Sequence, residues 1–312
     1  MELDTTNRIL VTGLSGFTGK YLARKLASLG WQICGLGAHA PPQGGDPVYP
    51  NLDVDLSETE RIAEWMAANQ PTHIAHLAAQ SHVVGDPLRF YRDNLLGTES
   101  LLEAVAVSGI APKKLLIASS ANIYGNCENS PISEDQPYQP VNHYASSKVA
   151  MELLVQKWFD RYPIVITRPF NYTGPGQSEA FVYAKLAAAF FRRDSEIRLG
   201  NISTARDLSD IRFVVEAYRR LLLSELSSDT FNICSGKSVS IREALAILSK
   251  LTGHVPKIVS DPALTRSNEI TELRGDSSKL QHAIGSIPNF DPVEIFGNML
   301  DAYDNSEFRK IV

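Results

Sequence analysis

The stretch ILVTGLSGFTGKYLARKL, residues 9–26, decides the fold. Its opening apolar run, with Arg8 before it, has the composition of a short strand buried on both faces. From Phe17 to Leu29 the apolar residues recur at helical spacing, so a helix follows. Between the two lie Gly13, Gly16 and Gly19 in G-x-x-G-x-x-G spacing. Glycines at a strand-to-helix turn let the backbone approach a pyrophosphate, whose charge then meets free N–H groups and the positive end of the helix dipole. Taken alone, the pattern also fits a glycine-rich turn that holds no ligand.

Working outward, WQICGLG (31–37), THIAHLA (72–78), KKLLIASS (113–120) and IVITRP (164–169) read as further short strands. Segments 57–69, 88–108 and 144–161 between them carry helical periodicity. This alternation predicts an α/β fold, a doubly wound parallel sheet with helices on both faces. Beyond Arg168 the order turns irregular: PFNYTGPGQ, a helix near 178–193, a strand-like EIRLGN, a helix near 210–224, TFNICSG, and a helix from about 240 to 252. A smaller lobe interleaved with late additions to the main sheet follows from this. The expected division is 1–168 plus about 207–237 for dinucleotide binding, and about 169–206 plus 238–312 for a substrate-binding lobe. A ligand is expected in the crevice at the carboxyl ends of the strands.

Composition narrows the partners. The 312 residues carry a net charge of −5 and no Lys/Arg cluster, which argues against nucleic acid or a membrane surface. The acidic, polar start MELDTTNR lacks the pattern of a secretion signal, and no apolar run is long enough to span a bilayer, so the expected compartment is the cytoplasm. Cys34, Cys127 and Cys234 are odd in number and far apart, as buried thiols are. No histidine cluster has metal-ligand spacing, His73 and His76 flanking a strand, and no metal is expected.

Two stretches carry chemistry. NHYASSKVAME (142–152) puts Tyr144 and Lys148 four residues apart, on one helical face. A free phenol has a pKa of about 10, and a nearby ammonium is expected to lower it toward use as a general acid. ASSANIYG (118–125) ends a strand in Ser119 and Ser120, where a hydroxyl can meet a substrate oxygen. Each has a plain structural alternative, a solvated Tyr/Lys pair and a serine turn; glycine turn, strand-end serine and Y-x-x-x-K in this order are far more specific together.

From residue 8 to about 285 the chain resembles the extended short-chain dehydrogenase/reductase family, in its nucleotide-sugar branch of GDP-mannose 4,6-dehydratases and GDP-4-keto-6-deoxy-D-mannose reductases. The stretches that carry this are LVTGLSGFTGKYL, HLAAQSHV, DNLLGT, RPFNYTGPGQ, LGNISTARDLSDI, FNICSG and TRSNEITELRGDSSKL. The resemblance implies a Rossmann sheet and a catalytic set of Ser120, Tyr144 and Lys148. It implies NADPH or NADH held by Gly13, Ser15, Gly16, Phe17, Thr18, Gly19, Asp55, Leu56, Leu77, Ala78, Ala79, Asn94 and Pro169, with Tyr144 and Lys148 also touching the cofactor. For a GDP-linked keto-deoxy sugar it implies Ser81, Asn122, Asn171, Val182, Lys185, Arg206, Arg266 and Glu269. Read from the residues alone, Asp55 is equally a helix cap, Arg206 a surface partner of Asp207, and Lys185 a solvated helix residue.

Two departures from the family pattern matter. A 4,6-dehydratase of this family has a carboxylate two residues past the strand-end hydroxyl; here that place holds Asn122, whose amide is no base. His143 stands where relatives carry proline, to touch substrate or face water. The stretch GLGAHAPPQ has neither the acid that marks NADH nor the arginine that marks NADPH, so the preference stays open. The resulting expectation is reduction of the 4-keto group of GDP-4-keto-6-deoxy-D-mannose to a GDP-6-deoxyhexose such as GDP-D-rhamnose. Dehydration, 4-epimerisation and a non-catalytic cofactor-sensing role are the rivals. A homodimer through a four-helix contact, from segments 95–107 and 150–159, is expected as well.

Overall fold

The computed structural model describes residues 7–37, 49–80, 86–127, 129–264 and 270–304. Strand β1 (Arg8–Thr12) buries Ile9, Leu10 and Val11 completely, and α1 (Phe17–Ala27) follows with Leu22, Ala23 and Leu26 turned inward. Next come β2 (Gln32–Leu36), the two-residue β3 (Asn51–Leu52), α2 (Thr59–Asn69) and β4 (His73–His76). The helical run expected at 88–108 consists of α3 (Pro87–Phe90), a π turn (Tyr91–Leu96) and α4 (Gly97–Ser108). After β5 (Lys114–Ala118) the chain makes α5 (His143–Val155), which ends in a 3-10 turn at Gln156–Trp158 rather than running on to 161.

Strand β6 (Ile164–Pro169) leads to β7 (Asn171–Thr173), α6 (Val182–Arg192), β8 (Glu196–Leu199) and β9 (Ala205–Asp210). Helix α7 (Ile211–Leu223) and β10 (Asp229–Ile233) then return to the main sheet. The remainder is β11 (Ser238–Ser240), α8 (Ile241–Thr252), β12 (Lys257–Ser260), β13 (Glu272–Leu273), α9 (Ser278–Ile284) and α10 (Pro292–Asp304). Helix α8 starts at a reciprocal cap: Glu243 N–H donates to Ser240 Oγ (3.1 Å) and Ser240 N–H to the Glu243 carboxylate (2.7 Å).

The main sheet has seven strands in the order β10-β6-β5-β4-β1-β2-β3, every pair parallel. The chain winds one way from β1 and the other way from β4, so the switch point lies between the carboxyl ends of these two strands. One core packs α1, α7 and α9 on one face, and a second packs α2, α4 and α5 on the other. The lobe has its own core, where α6, α8 and α10 meet β8, β9 and β11. Strand β9 pairs with β7, β11 and β13, so the lobe's sheet reaches to Asp210, while α9 lies against β10. Asp207, fully buried, joins the two parts: it accepts from Ser235 N–H (2.8 Å), Ser235 Oγ (2.7 Å), Gly236 N–H (2.8 Å) and Gly275 N–H (3.2 Å). No described helix is long and apolar enough to cross a membrane.

Candidate active site

A cavity of about 1110 Å³ opens at the switch point. The glycine turn forms one wall, because the chain must pass there without side chains. Gly13 has φ +70, and a Cβ on it would lie 2.9 Å from Ala78 N; a Cβ on Gly19 would collide with Gly13 O. Helix α1 starts at Gly16 with no side chain capping it, and Ser15 through Gly19 line the cavity. The free N–H groups and dipole of that helix end therefore face the space where a diphosphate fits.

Beside it the wall continues in the segment after β4, held by a buried relay. Thr12 Oγ1 accepts Leu77 N–H and Ala78 N–H, each at 3.1 Å. Its own proton is thus directed to His76 Nδ1, 2.7 Å away, which leaves Nε2–H to donate to Thr98 Oγ1 (2.9 Å), while Thr98 O–H donates to Asn94 O (2.7 Å). Burial holds His76 neutral, its pKa lowered to about 3, with the Lys148 charge adding to the effect. His73 and His76 are the first and last residues of β4, both buried.

The predicted cofactor set is gathered around this cavity. Gly13, Ser15, Gly16, Phe17, Thr18, Gly19, Asp55, Leu56, Leu77, Ala78, Ala79 and Pro169 line it. Asp55 also caps the turn into α2, accepting Ser57 N–H (2.9 Å) and Ser57 Oγ (2.6 Å), bonds that hold its carboxyl below the usual range. Asn94 lies behind the wall, fully buried, where it accepts Gln80 N–H (2.8 Å) and donates to Ser147 Oγ (3.0 Å). Ser147 in turn donates to Tyr144 O at 2.7 Å. The π turn is what aims Asn94 inward, toward α5, as such turns do at functional sites.

Ser120, Tyr144 and Lys148 meet at the cavity floor, each nearly buried. Ser120 Oγ accepts from Asn122 N–H (3.2 Å) and Asn122 Nδ2 (3.0 Å), so its own proton is left for an acceptor in the cavity or for Tyr144. Tyr144 packs edge-on against Phe90 with ring centroids 6.1 Å apart. Lys148 Nζ donates to Ala118 O at 2.7 Å, and burial pulls its pKa down to about 8 against the opposing charge of Glu152. The expectation that Lys148 lowers the tyrosine needs correction. Burial pushes Tyr144 up to about 12, and the group that works against burial is Ser120, the ammonium being turned to the strand end instead.

The predicted substrate set is more dispersed. Asn122 and Asn171 line the cavity. Val182 packs into the lobe core at the start of α6, and Lys185 donates to Arg198 O (2.9 Å) at the surface. Arg206 donates to Ala205 O (2.8 Å) on β9, and its neighbour Asp207 is taken up by Ser235, Gly236 and Gly275. Val182, Lys185 and Arg206 stand outside the cavity lining, and Ser81, Arg266 and Glu269 lie outside the described residues. His143 bonds Tyr91 Oη through Nδ1 at 3.2 Å, at the exposed start of α5.

Sequence reasoning missed several wall residues: Arg89, Arg92, Tyr172, Gln177, Phe181 and Tyr218. Tyr172 stacks on Phe17 (6.2 Å between centroids) and bonds Thr18 Oγ1 at 2.8 Å, tying the segment after β6 to the glycine turn. Its signal was a tyrosine directly after Asn171; Tyr218, on α7, gave none beyond helical spacing. Among the described residues, no group of three or more His, Cys, Asp or Glu could hold a metal ion.

A parallel sheet with a glycine turn at its switch point and Ser, Tyr and Lys converging at the strand ends defines a dinucleotide-binding fold of the extended short-chain dehydrogenase/reductase type. The family model described as GDP-mannose 4,6 dehydratase matches residues 10–299, and the chain belongs to that family. It is 34% identical over 299 residues to the GDP-6-deoxy-D-mannose reductase of Pseudomonas aeruginosa, with 91% of this chain and 92% of the relative covered. It is 32% identical over 290 residues to the GDP-6-deoxy-D-talose 4-dehydrogenase of Aggregatibacter actinomycetemcomitans, with 92% and 94% covered. A solved structure described as RMD from Pseudomonas aeruginosa complexed with NADPH superimposes with a TM-score of 0.82 at 32% identity, covering 95% of this chain and 98% of that one.

Proposed function

We propose that the protein reduces the C4 keto group of GDP-4-keto-6-deoxy-D-mannose to a GDP-6-deoxyhexose, with a nicotinamide dinucleotide as hydride source. The carrying observation is at position 122. Its side chain is an amide engaged with Ser120 Oγ, and the carboxylates on the cavity wall are committed elsewhere: Asp55 to Ser57, Asp93 to Arg92 and Gln80, Glu99 to Trp158. A carboxylate base for the C5 proton, which dehydration requires, is missing among the described wall residues, whereas ketone reduction requires only hydride and one proton. The two relatives named as a GDP-6-deoxy-D-mannose reductase and a GDP-6-deoxy-D-talose 4-dehydrogenase support the same reading.

The cofactor, NADPH or NADH, supplies the hydride. The glycine turn and α1 would hold its diphosphate, Asp55 would sit at its adenine, and Lys148 would hold its ribose. Ser120 directs its proton to the keto oxygen and fixes the carbonyl. Tyr144, kept protonated by burial, gives its proton to the oxygen as negative charge develops there, and regains one from solvent. Asn171 would contact the sugar nucleotide within the cavity, and Val182, Lys185 and Arg206 the nucleotide beyond it; Arg266 and Glu269 are proposed as further ligands of the nucleotide. Residues 1–168 plus about 207–237 serve the cofactor, and about 169–206 plus 238–312 the sugar nucleotide, the cavity drawing Gly13–Gly19 from the first and Gln177, Phe181 and Leu273 from the second.

The proposed assembly is a homodimer through α4 and α5. Val107 on α4 and Leu153 on α5 are 66% and 51% exposed, apolar surface that a symmetric contact between these helices would cover. The cytoplasm is the proposed compartment; the three free thiols fit a reducing setting. The test of function is a panel of GDP-, dTDP- and UDP-linked 4-keto-6-deoxy sugars with NADPH and NADH, read by nicotinamide absorbance. The reading expects turnover with the GDP sugar; turnover confined to another nucleotide would contradict it.

A further inference from the structure

Tyr144 and Lys148 are followed on the same face of α5 by Glu152, which the proposed chemistry does not use. Its side chain is fully buried, and it faces Arg168 of β6, whose side chain is 5% exposed. Arg168 Nε donates to both Glu152 oxygens (3.1 and 3.2 Å) and its NH2 to Oε2 (2.7 Å). Every other N–H of Arg168 is spent as well, on Tyr124 Oη (2.9 Å), Glu134 O (2.9 Å) and Tyr138 Oη (3.0 Å), and Tyr138 itself donates to Glu152 Oε2 at 3.0 Å. Tyr124 continues the network to Asn232 Oδ1 on β10 (2.7 Å), and Asn232 N–H donates to Glu134 Oε1 (2.7 Å).

A buried ion pair gains little net stability over an apolar pair of equal volume, so its use has to be sought in what it touches. Tyr124 ends the 3-10 turn Ala121–Tyr124, which follows Ser120 and carries Asn122. Arg168 directly precedes Pro169 and lies three residues before Asn171. Glu152 lies one turn from Lys148. The pair is thus the joint between the three segments that build the cavity floor. We propose that Glu152, clamped by Arg168, is a positioning residue of this site: it locks the helix carrying Tyr144 and Lys148, with Lys148 Nζ against Ala118 O, to the strand ends carrying Ser120 and Asn171.

The charges around Lys148 are compatible with this. His76 of β4 is neutral, Arg168 is neutralised by Glu152, and Glu134 answers Asn232 and Arg168 farther along the network. Asp93 and Glu99 on the helical run packed against α5 are bound to Arg92 and Trp158. Among the described residues Glu152 is the carboxylate whose charge acts on Lys148 and opposes the effect of burial.

The inference rests on Lys148 serving the site as proposed above, but its test needs neither substrate nor cofactor. Trace acetylation with acetic anhydride across a pH series, read at the Lys148 peptide by mass spectrometry, reports the protonation of that amine directly. The parent protein should give a midpoint near 8. Glu152→Gln should lower it by about one pH unit or more, the usual effect of losing an opposite charge nearby. The double variant Glu152→Gln/Arg168→Gln, which leaves no unpaired guanidinium at position 168, should lower it too. An unchanged midpoint in either folded variant overturns the proposal. NADPH titration of Lys148→Met, followed by nicotinamide fluorescence, tests the role of Lys148 separately: unweakened binding would remove that role and leave the labelling result standing.

Discussion

Asn122 Nδ2 donates to Ser120 Oγ at 3.0 Å, and the Asn122 backbone N–H donates to the same oxygen at 3.2 Å. Both acceptor positions of the hydroxyl are therefore filled, and its proton is available to a substrate oxygen. Asn122→Asp keeps the size of the side chain and reverses this polarity, since a carboxylate accepts the Ser120 proton. The expected result is a loss of about 10²-fold in kcat for the keto sugar, the scale of a lost electrostatic donor, with NADPH affinity little changed. Steady-state kinetics beside a cofactor titration check both halves.

How far the sequence made this legible depends on the kind of contact. The parallel sheet, the glycine turn and the Ser120, Tyr144 and Lys148 set could be read because each rests on local spacing: period in a strand or helix, Gly at a turn, i to i+4 on α5. The strands β7, β11 and β13 could not, since two- and three-residue strands carry no period and exist through pairing with β9. The direction of the Tyr144 shift was missed because spacing gives the nearness of Lys148 but not where its ammonium points, and burial depends on elements far away in sequence. The Arg168–Glu152 pair left a faint trace, an arginine at the end of the apolar run IVITRP, with its partner sixteen residues earlier on another element.

Tyr144→Phe should leave cofactor binding nearly intact and lower turnover by about 10²-fold or more, as for a lost general acid. Because burial raises Tyr144 to about 12, the phenol keeps its proton through the neutral range, and its titration does not limit activity there. Lys148, lowered to about 8, is the group that loses its proton first as pH rises. The expected profile of kcat/KM is level at neutral pH and falling above about 8. A profile rising through that region would assign the proton to another group.

His76 gives stability a pH dependence of definite sign. Its folded pKa, about 3, lies below the unfolded value of 6.5, so between these the unfolded chain binds the extra proton and acidification destabilises the fold. The contribution is fully present above about pH 6.5 and is lost toward pH 3, by up to about 1.4 kcal/mol per pH unit. Urea denaturation at several pH values should show His76→Gln losing less stability between about pH 6 and about pH 4.5 than the parent does. Equal losses would mean that the ring is not held neutral.

Leu153, half-exposed on α5, lies where the subunit contact is proposed. Leu153→Glu should shift a dimer toward monomer in light scattering at micromolar concentration, with the melting temperature of the isolated subunit nearly unchanged, since the side chain is half in solvent already. A parent protein that is monomeric under these conditions removes the four-helix contact.

Reduction and dehydration of GDP sugars part at a single step, the removal of the C5 proton, and the amide at position 122 places this chain with reduction. The direct measurement is a pair of incubations analysed by mass spectrometry and nicotinamide absorbance. GDP-mannose with oxidised cofactor should give no product lighter by one water, and GDP-4-keto-6-deoxy-D-mannose with reduced cofactor should be consumed mole for mole with loss of absorbance. Loss of water from GDP-mannose would show that another group acts as the C5 base, and would contradict the reductase reading.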